Sequence, residues 1–381
     1  MKLRGVKVID LSWFLPGPFL TMALADHGAE VIKIEPPEGD PGRHIAPMDE
    51  RTSVFFRNLN RGKKSVTIDL KDPAGREALL RLCDDADVLV ESFRPGVAAR
   101  LGVGYELLGA RNPGLVYCST TAFGQDGAYG NRPAHDLALE ALTGVLGHTL
   151  GDDGRPAIPG IPIADVLSAL QGLSGVLMAL LRRVQTGRGD HLDIAMHDSL
   201  FASCANVIAP ALTEGRHPVV KHQRSTGGSA FYQIYDTRDG RQLVLAGQEE
   251  KFVRVLLGAL GRPDLEPLCA RGPGPHQRPV IDFLRETFIQ RSLSEWMTFL
   301  SALDVCFAPV NTLPEALDDP NLRARGMLLT DDSGRRHIAP AIRFRNEPAV
   351  PVLREPLPGE HTADILARSG LDQPTRHVAE R

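Results

Sequence analysis

Val6–Glu35 reads VKVIDLSWFLPGPFLTMALADHGAEVIKIE, and its punctuation decides the fold. Val6–Leu11 is a short β-rich run. Pro16-Gly17-Pro18 breaks it, because proline lacks the N–H a strand needs. Phe19–His27 has helical spacing, Gly28 caps that helix, and Ala29–Glu35 forms the next strand. Strand, helix and strand in this order make a βαβ unit. Its loop lies at the carboxyl end of the first strand, where open parallel sheets bind ligands. GxGxxG is missing, so the dinucleotide fingerprint is absent.

The same alternation continues. Ser65–Leu70 reads as a strand, and Asp72-Pro73 starts a helix that runs to about Cys83, with Asp72 at the cap. Asp87–Glu91 is a strand entering the turn Ser92-Phe93-Arg94-Pro95-Gly96. Val97–Leu101 is a helix and Leu115–Ser119 another strand. This pattern predicts a doubly wound α/β domain. Val166, Leu167, Leu170, Leu173, Val176, Leu177, Leu180 and Leu181 recur at three and four, which predicts a long helix ended by Gly187 and Gly189. His191–Ala195 is a further strand. A polar stretch near 214–228 marks a boundary. Beyond it, the hairpin-like Phe231–Tyr235 and Leu243–Ala246, joined through Asp239-Gly240, open a second domain. Helices follow near 250–260, 278–290 and 294–303, then a strand over Cys306–Val310.

Composition narrows the class. The chain has 381 residues, 43% hydrophobic and 24% charged, which excludes disorder and fibrous architecture. A net charge of −4 and 6% aromatic content argue against a nucleic-acid partner. The five cysteines are widely spaced with no CxxC, so neither a disulfide framework nor a metal site is expected. They read as buried small side chains in a reducing, cytoplasmic setting. The N-terminus shows no signal-peptide pattern, and no unbroken run of about 18 apolar residues calls for a membrane.

HExxH, GxxxxGK[ST] and GxSxG are absent. What remains is a set of polar residues in telling places. Asp165 follows the apolar Ile161-Pro162-Ile163-Ala164 and opens the long helix. It is either an N-cap or a carboxylate poised at a helix N-terminus as base or nucleophile. His135 is a candidate acid–base group, or a structural histidine, and Asp136 a helix cap. Glu249 and Glu250 open a later helix, where complementing the helix dipole is the plain role. Arg57, Arg61, Lys63 and Lys64 form a basic cluster that reads as a solvated face or a phosphate site.

The chain resembles the family III CoA-transferases (CaiB/BaiF type), a group that includes the α-methylacyl-CoA racemases. The resemblance runs from Val6 to about Val310. It rests on Asp10-Leu11-Ser12, Pro16-Gly17-Pro18, Leu24-Ala25-Asp26, Val31-Ile32-Lys33-Ile34-Glu35, Lys64-Ser65-Val66-Thr67-Ile68-Asp69-Leu70, Glu91-Ser92-Phe93-Arg94-Pro95-Gly96-Val97, Asn112-Pro113, Phe123-Gly124-Gln125 and Thr186-Gly187-Arg188-Gly189. It implies a Rossmann-like CoA-binding large domain plus a smaller α+β domain, in an interlocked homodimer. The large domain would comprise 1–200 and 325–381, the small one 225–320, with 201–224 as linker.

By the same resemblance Asp165 is the catalytic carboxylate. It attacks an acyl-CoA, and CoA passes to a small carboxylic acid through covalent aspartyl intermediates. CoA is a co-substrate, no tightly bound cofactor or metal is implied, and Phe14, Leu15, Pro16, Leu70, Ser92, Phe93, Arg94 and Arg100 line its site. The alternative is a 2-methylacyl-CoA racemase or epimerase. There His135 and Asp165 would act as an acid–base pair on the α-carbon with Glu249 in support, as Gly227-Gly228-Ser229-Ala230-Phe231-Tyr232 also suggests. A CoA-binding protein without catalysis is a third reading. Three features depart from the racemase or family pattern: Val166-Leu167-Ser168 replaces a Gly-rich stretch, Ala138-Leu139 replaces Asn-Tyr, and Pro36 replaces an adenine-side arginine.

Overall fold

The computed structural model describes residues 1–50, 52–368 and 370. Six short strands form one all-parallel sheet: β1 (Lys7–Asp10), β2 (Glu30–Glu35), β3 (Lys64–Thr67), β4 (Val88–Glu91), β5 (Val116–Thr121) and β6 (His191–Ala195). Their spatial order is β3-β2-β1-β4-β5-β6. Ile9 pairs with Ile32 on one side and Leu89 on the other. The chain winds outward from β1 through β2 and β3, then resumes on the other side of β1 with β4. The switch point therefore lies between the carboxyl ends of β1 and β4. This is the doubly wound α/β arrangement that the alternation predicts, with the Rossmann-like order that the family resemblance implies.

The strands are apolar on both faces, as a sheet covered on both sides requires. Alternate residues feed two layers. Ile9, Ile32, Val66, Leu89 and Tyr117 pack with Leu79, and with Ile365 and Leu366 from the C-terminal helix Thr362–Arg368. Val8, Val31, Val88, Val116 and Cys118 pack against Leu20 and Leu24 of α1 (Pro16–Asp26). Helix α2 (Pro73–Cys83) has Asp72 as its cap, accepting from Ala74 N at 3.3 Å. Helix α3 (Asp136–Leu142) and helix α4 (Ile163–Thr186) precede β6, and α5 (Met196–Ala202) follows it. Helix α4 lays Ala169, Leu173 and Val176 in the second layer. Gly172 permits that approach, because a Cβ there would lie 2.5 Å from Leu20 Cδ1.

Helix α4 is strongly apolar. Its 24 residues are long and apolar enough to cross a membrane by length and composition, although no unbroken apolar run shows in the sequence. Leu170, Leu177, Met178, Leu181 and Val184 on it are exposed.

Contacts divide the chain into two units. One comprises Met1–Leu146, Ile158–Cys204 and the chain from Asn321 onward; the other comprises Gly147–Ala157 and Ala205–Pro320. Residues 371–381 of the large domain expected from sequence lie outside the described residues. The second unit has an antiparallel sheet of β7 (Tyr232–Asp236), β8 (Gln242–Ala246) and β9 (Phe307–Pro309), ordered β9-β8-β7. Helices α6 (Glu250–Ala259), α7 (Arg278–Phe288) and α8 (Leu293–Ser301) supply its core with Leu256, Leu284, Phe288 and Trp296. Ser292 and Glu295 form a capping box on α8. Trp296 is fully buried and its indole N–H donates to Phe288 O at 2.6 Å.

Two expectations change. The basic cluster is not a solvated face: Arg57, Arg61 and Lys63 are buried and paired with Asp49, Asp26 and Asp10, respectively. Among the cysteines, Cys83, Cys118 and Cys204 are buried, while Cys306 is exposed. Burial pushes the Cys83 and Cys118 thiols up to about 12.

Trp296→Ala removes both a core ring and a buried hydrogen-bond donor from the second unit. The expected loss is about 3–5 kcal/mol, read as a fall in the urea midpoint of the transition that reports on that unit.

Candidate active site

The site begins at the carboxyl end of β1. Asp10 is fully buried there. Its carboxylate accepts from Lys63 Nζ at 2.9 Å, Thr21 Oγ1 at 2.7 Å and Ser12 N at 2.9 Å. Lys63 also donates to Pro18 O at 3.1 Å and Asn60 Oδ1 at 2.8 Å. Lys33, equally buried, pairs with Asp40 at 2.7 Å and donates to Ser12 O at 2.8 Å. Burial alone would raise Asp10, but Lys63, Lys33 and the hydroxyls of Ser12 and Thr21 outweigh it and hold the carboxyl well below its usual range. Burial pulls Lys63 down to about 8 against the opposing pull of Asp10.

These bonds pin the loop that follows β1. Phe14 sits in it at φ 61°, a left-handed conformation that costs an L-residue about 1–2 kcal/mol and needs such anchoring. Gly17 lets the loop close on α1, since a Cβ there would lie 2.2 Å from the Ser12 side chain. Trp13 N donates to Ser92 Oγ at 3.1 Å, tying this loop to the one after β4. Phe93 N donates to Glu91 Oε2 at 2.7 Å, which shapes that second loop. Burial pushes Glu91 up to about 7, opposed by the Ser119 hydroxyl and the Phe93 N–H.

Between the two loops, at the switch point of the sheet, lies a cavity of about 420 Å³. Trp13, Phe14, Pro16, Ser92, Phe93 and Arg94 line one part of it, and Arg132, His135, Asp165 and Met196 another. The structure thus brings together seven of the residues singled out in the sequence: Phe14, Pro16, Ser92, Phe93, Arg94, His135 and Asp165. The others are not among the cavity's lining residues. Leu15 is the residue before α1, Leu70 packs on the first apolar layer, and Arg100 ends the short helix Val97–Arg100, exposed to solvent. Glu249 precedes α6 in the second unit.

Asp165 lies in the first turn of α4 and is not its cap; that position is Pro162. Burial pushes its carboxyl up to about 7, and the nearby Asp136 charge adds to the rise. Asp136 does not cap its own helix through its side chain either. Its Oδ1 accepts from the backbone of α4, from Ala164 N at 2.7 Å and Asp165 N at 3.3 Å. A carboxylate on one helix thereby satisfies free N–H groups at the start of another. His135 is the exposed residue just before α3. Sequence reading missed this cross-helix cap and the buried lysines under the loop. Both link residues distant in the chain, so only their polar character in apolar surroundings could have flagged them.

A doubly wound sheet whose switch-point crevice holds a desolvated carboxylate defines an α/β enzyme of group-transfer or proton-transfer type. Comparison with known proteins makes this specific. The model of CoA-transferase family III matches residues 3–362, and the chain belongs to that family, whose co-substrate is CoA. It is 30% identical to mouse succinyl-CoA:glutarate CoA-transferase, over 96% of this chain and 85% of that protein. It is 32% identical to human alpha-methylacyl-CoA racemase, over 98% and 94%. The crystal structure of a CaiB/BaiF family protein from Brucella suis superposes with a TM-score of 0.84 at 32% identity, covering 96% of this chain and 99% of that one.

Because the folded state raises Asp165 above the usual 3.8, the proton it holds stabilises the fold at low pH. That contribution is complete below about 4 and is lost as pH rises through about 7. Asp165→Asn should therefore raise the melting temperature at pH 8 and leave it nearly unchanged at pH 4, by calorimetry. An equal shift at both pH values would contradict the desolvated carboxylate.

Proposed function

We propose that this enzyme transfers CoA from an acyl-CoA to a small carboxylic acid through covalent intermediates on Asp165. The observation that carries this reading is the Asp165 carboxyl, raised by burial and by the charge of Asp136, in a cavity walled by the loops after β1 and β4. Such a carboxylate is poorly solvated and therefore reactive towards a thioester. Asp165 attacks the acyl carbonyl, the C–S bond breaks, and CoA thiolate leaves a mixed anhydride. The thiolate then attacks the Asp165 carbonyl, releasing the donor acid and leaving an aspartyl-CoA thioester. The acceptor carboxylate attacks that thioester, and the freed thiolate takes the new acyl group from the second anhydride. Asp165 returns as a carboxylate.

Phe14, Pro16, Ser92, Phe93 and Arg94 are proposed to hold CoA, supported by their place in the cavity wall. Leu15, Leu70 and Arg100 are proposed to contact its remoter parts, on the family resemblance alone. The relative that acts on glutarate supports a small carboxylic acid as acceptor. We assign the large domain (1–200 and 325–381) to CoA binding, with 225–320 as the small domain, and expect a cytoplasmic enzyme.

A second reading has one observation in its favour: His135 lines the same cavity as Asp165. Two acid–base groups around one α-carbon would suit a racemase, with Glu249 in support. Incubation with a chiral 2-methylacyl-CoA in D₂O, without acceptor, separates the two. The transferase shows no α-proton exchange, yields a hydroxylamine-trappable adduct on Asp165, and passes CoA to an added dicarboxylate. Asp165→Ala should lower that transfer at least about 10³-fold. Exchange that disappears in His135→Ala would establish the racemase instead.

The apolar stripe Leu170, Leu177, Met178, Leu181 and Val184 on α4 supports a homodimer, interlocked as the family resemblance implies, because monomers rarely expose so continuous an apolar face. Light scattering should give twice the chain mass of 41.4 kDa, and Leu181→Glu combined with Val184→Glu should shift it towards the monomer. A wild-type monomer would refute the dimer.

A further inference from the structure

Glu140 is a fully buried acid that the mechanism above leaves unused. It stands four residues after Asp136 on α3, so both carboxyls share one helix face. Its side chain faces the Asp136 carboxylate and the backbone N–H of Ile163, yet neither oxygen completes a hydrogen bond to a donor. Leu139, on the same helix, packs with Ala164, Met196 and Leu200 in an apolar cluster. The groups around the pair are few. Asp165 is the titratable neighbour from α4. On α5, His197 and Asp198 contact each other at 3.3 Å. Arg94, Arg132 and His135 line the cavity on the Asp165 side.

A buried carboxylate beside a second carboxylate, with no cation acting on it, is too costly to stay ionised. It takes up a proton, and the proton has an obvious recipient bond: Asp136 is already an acceptor, turned towards α4. We propose that Glu140 is a positioning residue that shares one proton with Asp136. The pair, carrying a single negative charge, clamps the first turn of α4 and so fixes Asp165 against the cavity. Burial raises Glu140, and its contact with Asp136 raises it further, as such a shared proton requires. The clamp is a chain of three bonds into one carboxylate: Glu140 O–H, Ala164 N–H and Asp165 N–H. Losing the first leaves Asp136 to hold the turn with an undiluted charge, which makes Asp165 harder to ionise.

This inference rests on Asp165 being the nucleophile, and its test separates the two. Infrared difference spectra of wild type against Glu140→Gln at pH 7 should show a protonated carboxyl C=O band present only in the wild type. That readout needs no activity, and absence of the band overturns the shared proton. Gln keeps an N–H donor to Asp136, so Glu140→Gln should retain CoA-transfer kcat within about threefold. Glu140→Leu should lower kcat by roughly 10–100-fold and move the rising limb of its pH profile to higher pH. A Leu variant that is less heat-stable but has an unmoved pH limb would reduce Glu140 to a packing role. An active Asp165→Ala would instead sink the nucleophile and leave the infrared result standing.

Discussion

The buried pair Asp10–Lys63 is the constraint on which the binding crevice depends. Neither side chain meets solvent, and removing one partner of such a pair costs about 3–5 kcal/mol because the other charge is left uncompensated. The bond is also topological. Asp10 ends β1, Lys63 precedes β3, and Lys63 reaches Pro18 O at the start of α1. Lys33 adds β2 by holding Ser12 O and Asp40. Four segments meet beneath one short loop, and that loop carries Trp13, Phe14 and Pro16 into the cavity wall. The strained backbone of Phe14 persists because this network over-determines its neighbours.

Asp10 and Asp165 show how surroundings divide the labour of like groups. Both are aspartates at the carboxyl-end rim of one sheet. Two lysines and two hydroxyls hold Asp10 ionised and inert. Asp165 receives no such partner; burial and the charge of Asp136 push it the other way. The first serves the scaffold because its lone pairs are occupied. Neither lysine nor hydroxyl acts on the second, which suits the nucleophile proposed for it.

The βαβ opening, the alternation that follows it and the long α4 were legible in the sequence because each rests on local periodicity and on proline or glycine punctuation. Strand edges shifted by a few residues, as with Ser65–Leu70 against Lys64–Thr67, since pairing partners rather than propensity end a strand. Asp165 and His135 were singled out through their settings and the family resemblance, and both line the cavity. The roles of Asp136 and Lys63 were not. Each depends on a partner that folding brings near, from 28 residues away for Asp136 and Ala164 and 53 for Lys63 and Asp10. The basic cluster before β3 misled for the same reason: the charges look solvated until their buried acids are known.

On the proposed route, the raised basicity of Asp165 has a consequence beyond nucleophilicity. In the first anhydride, thiolate can attack either carbonyl. Attack at Asp165 expels the donor acid, whose pKa near 4 makes it a better leaving group than a carboxylate titrating at about 7. CoA is thus directed onto the enzyme rather than back to the donor. The last step, in which Asp165 must itself leave, is slowed by the same preference. An intermediate value near 7 serves both halves: high enough to keep CoA on the enzyme while acids exchange, low enough to release it. Burial of the first turn of α4 and, after it, the charge of Asp136 set that value, so on this route the short helix carrying Asp136 tunes the leaving group.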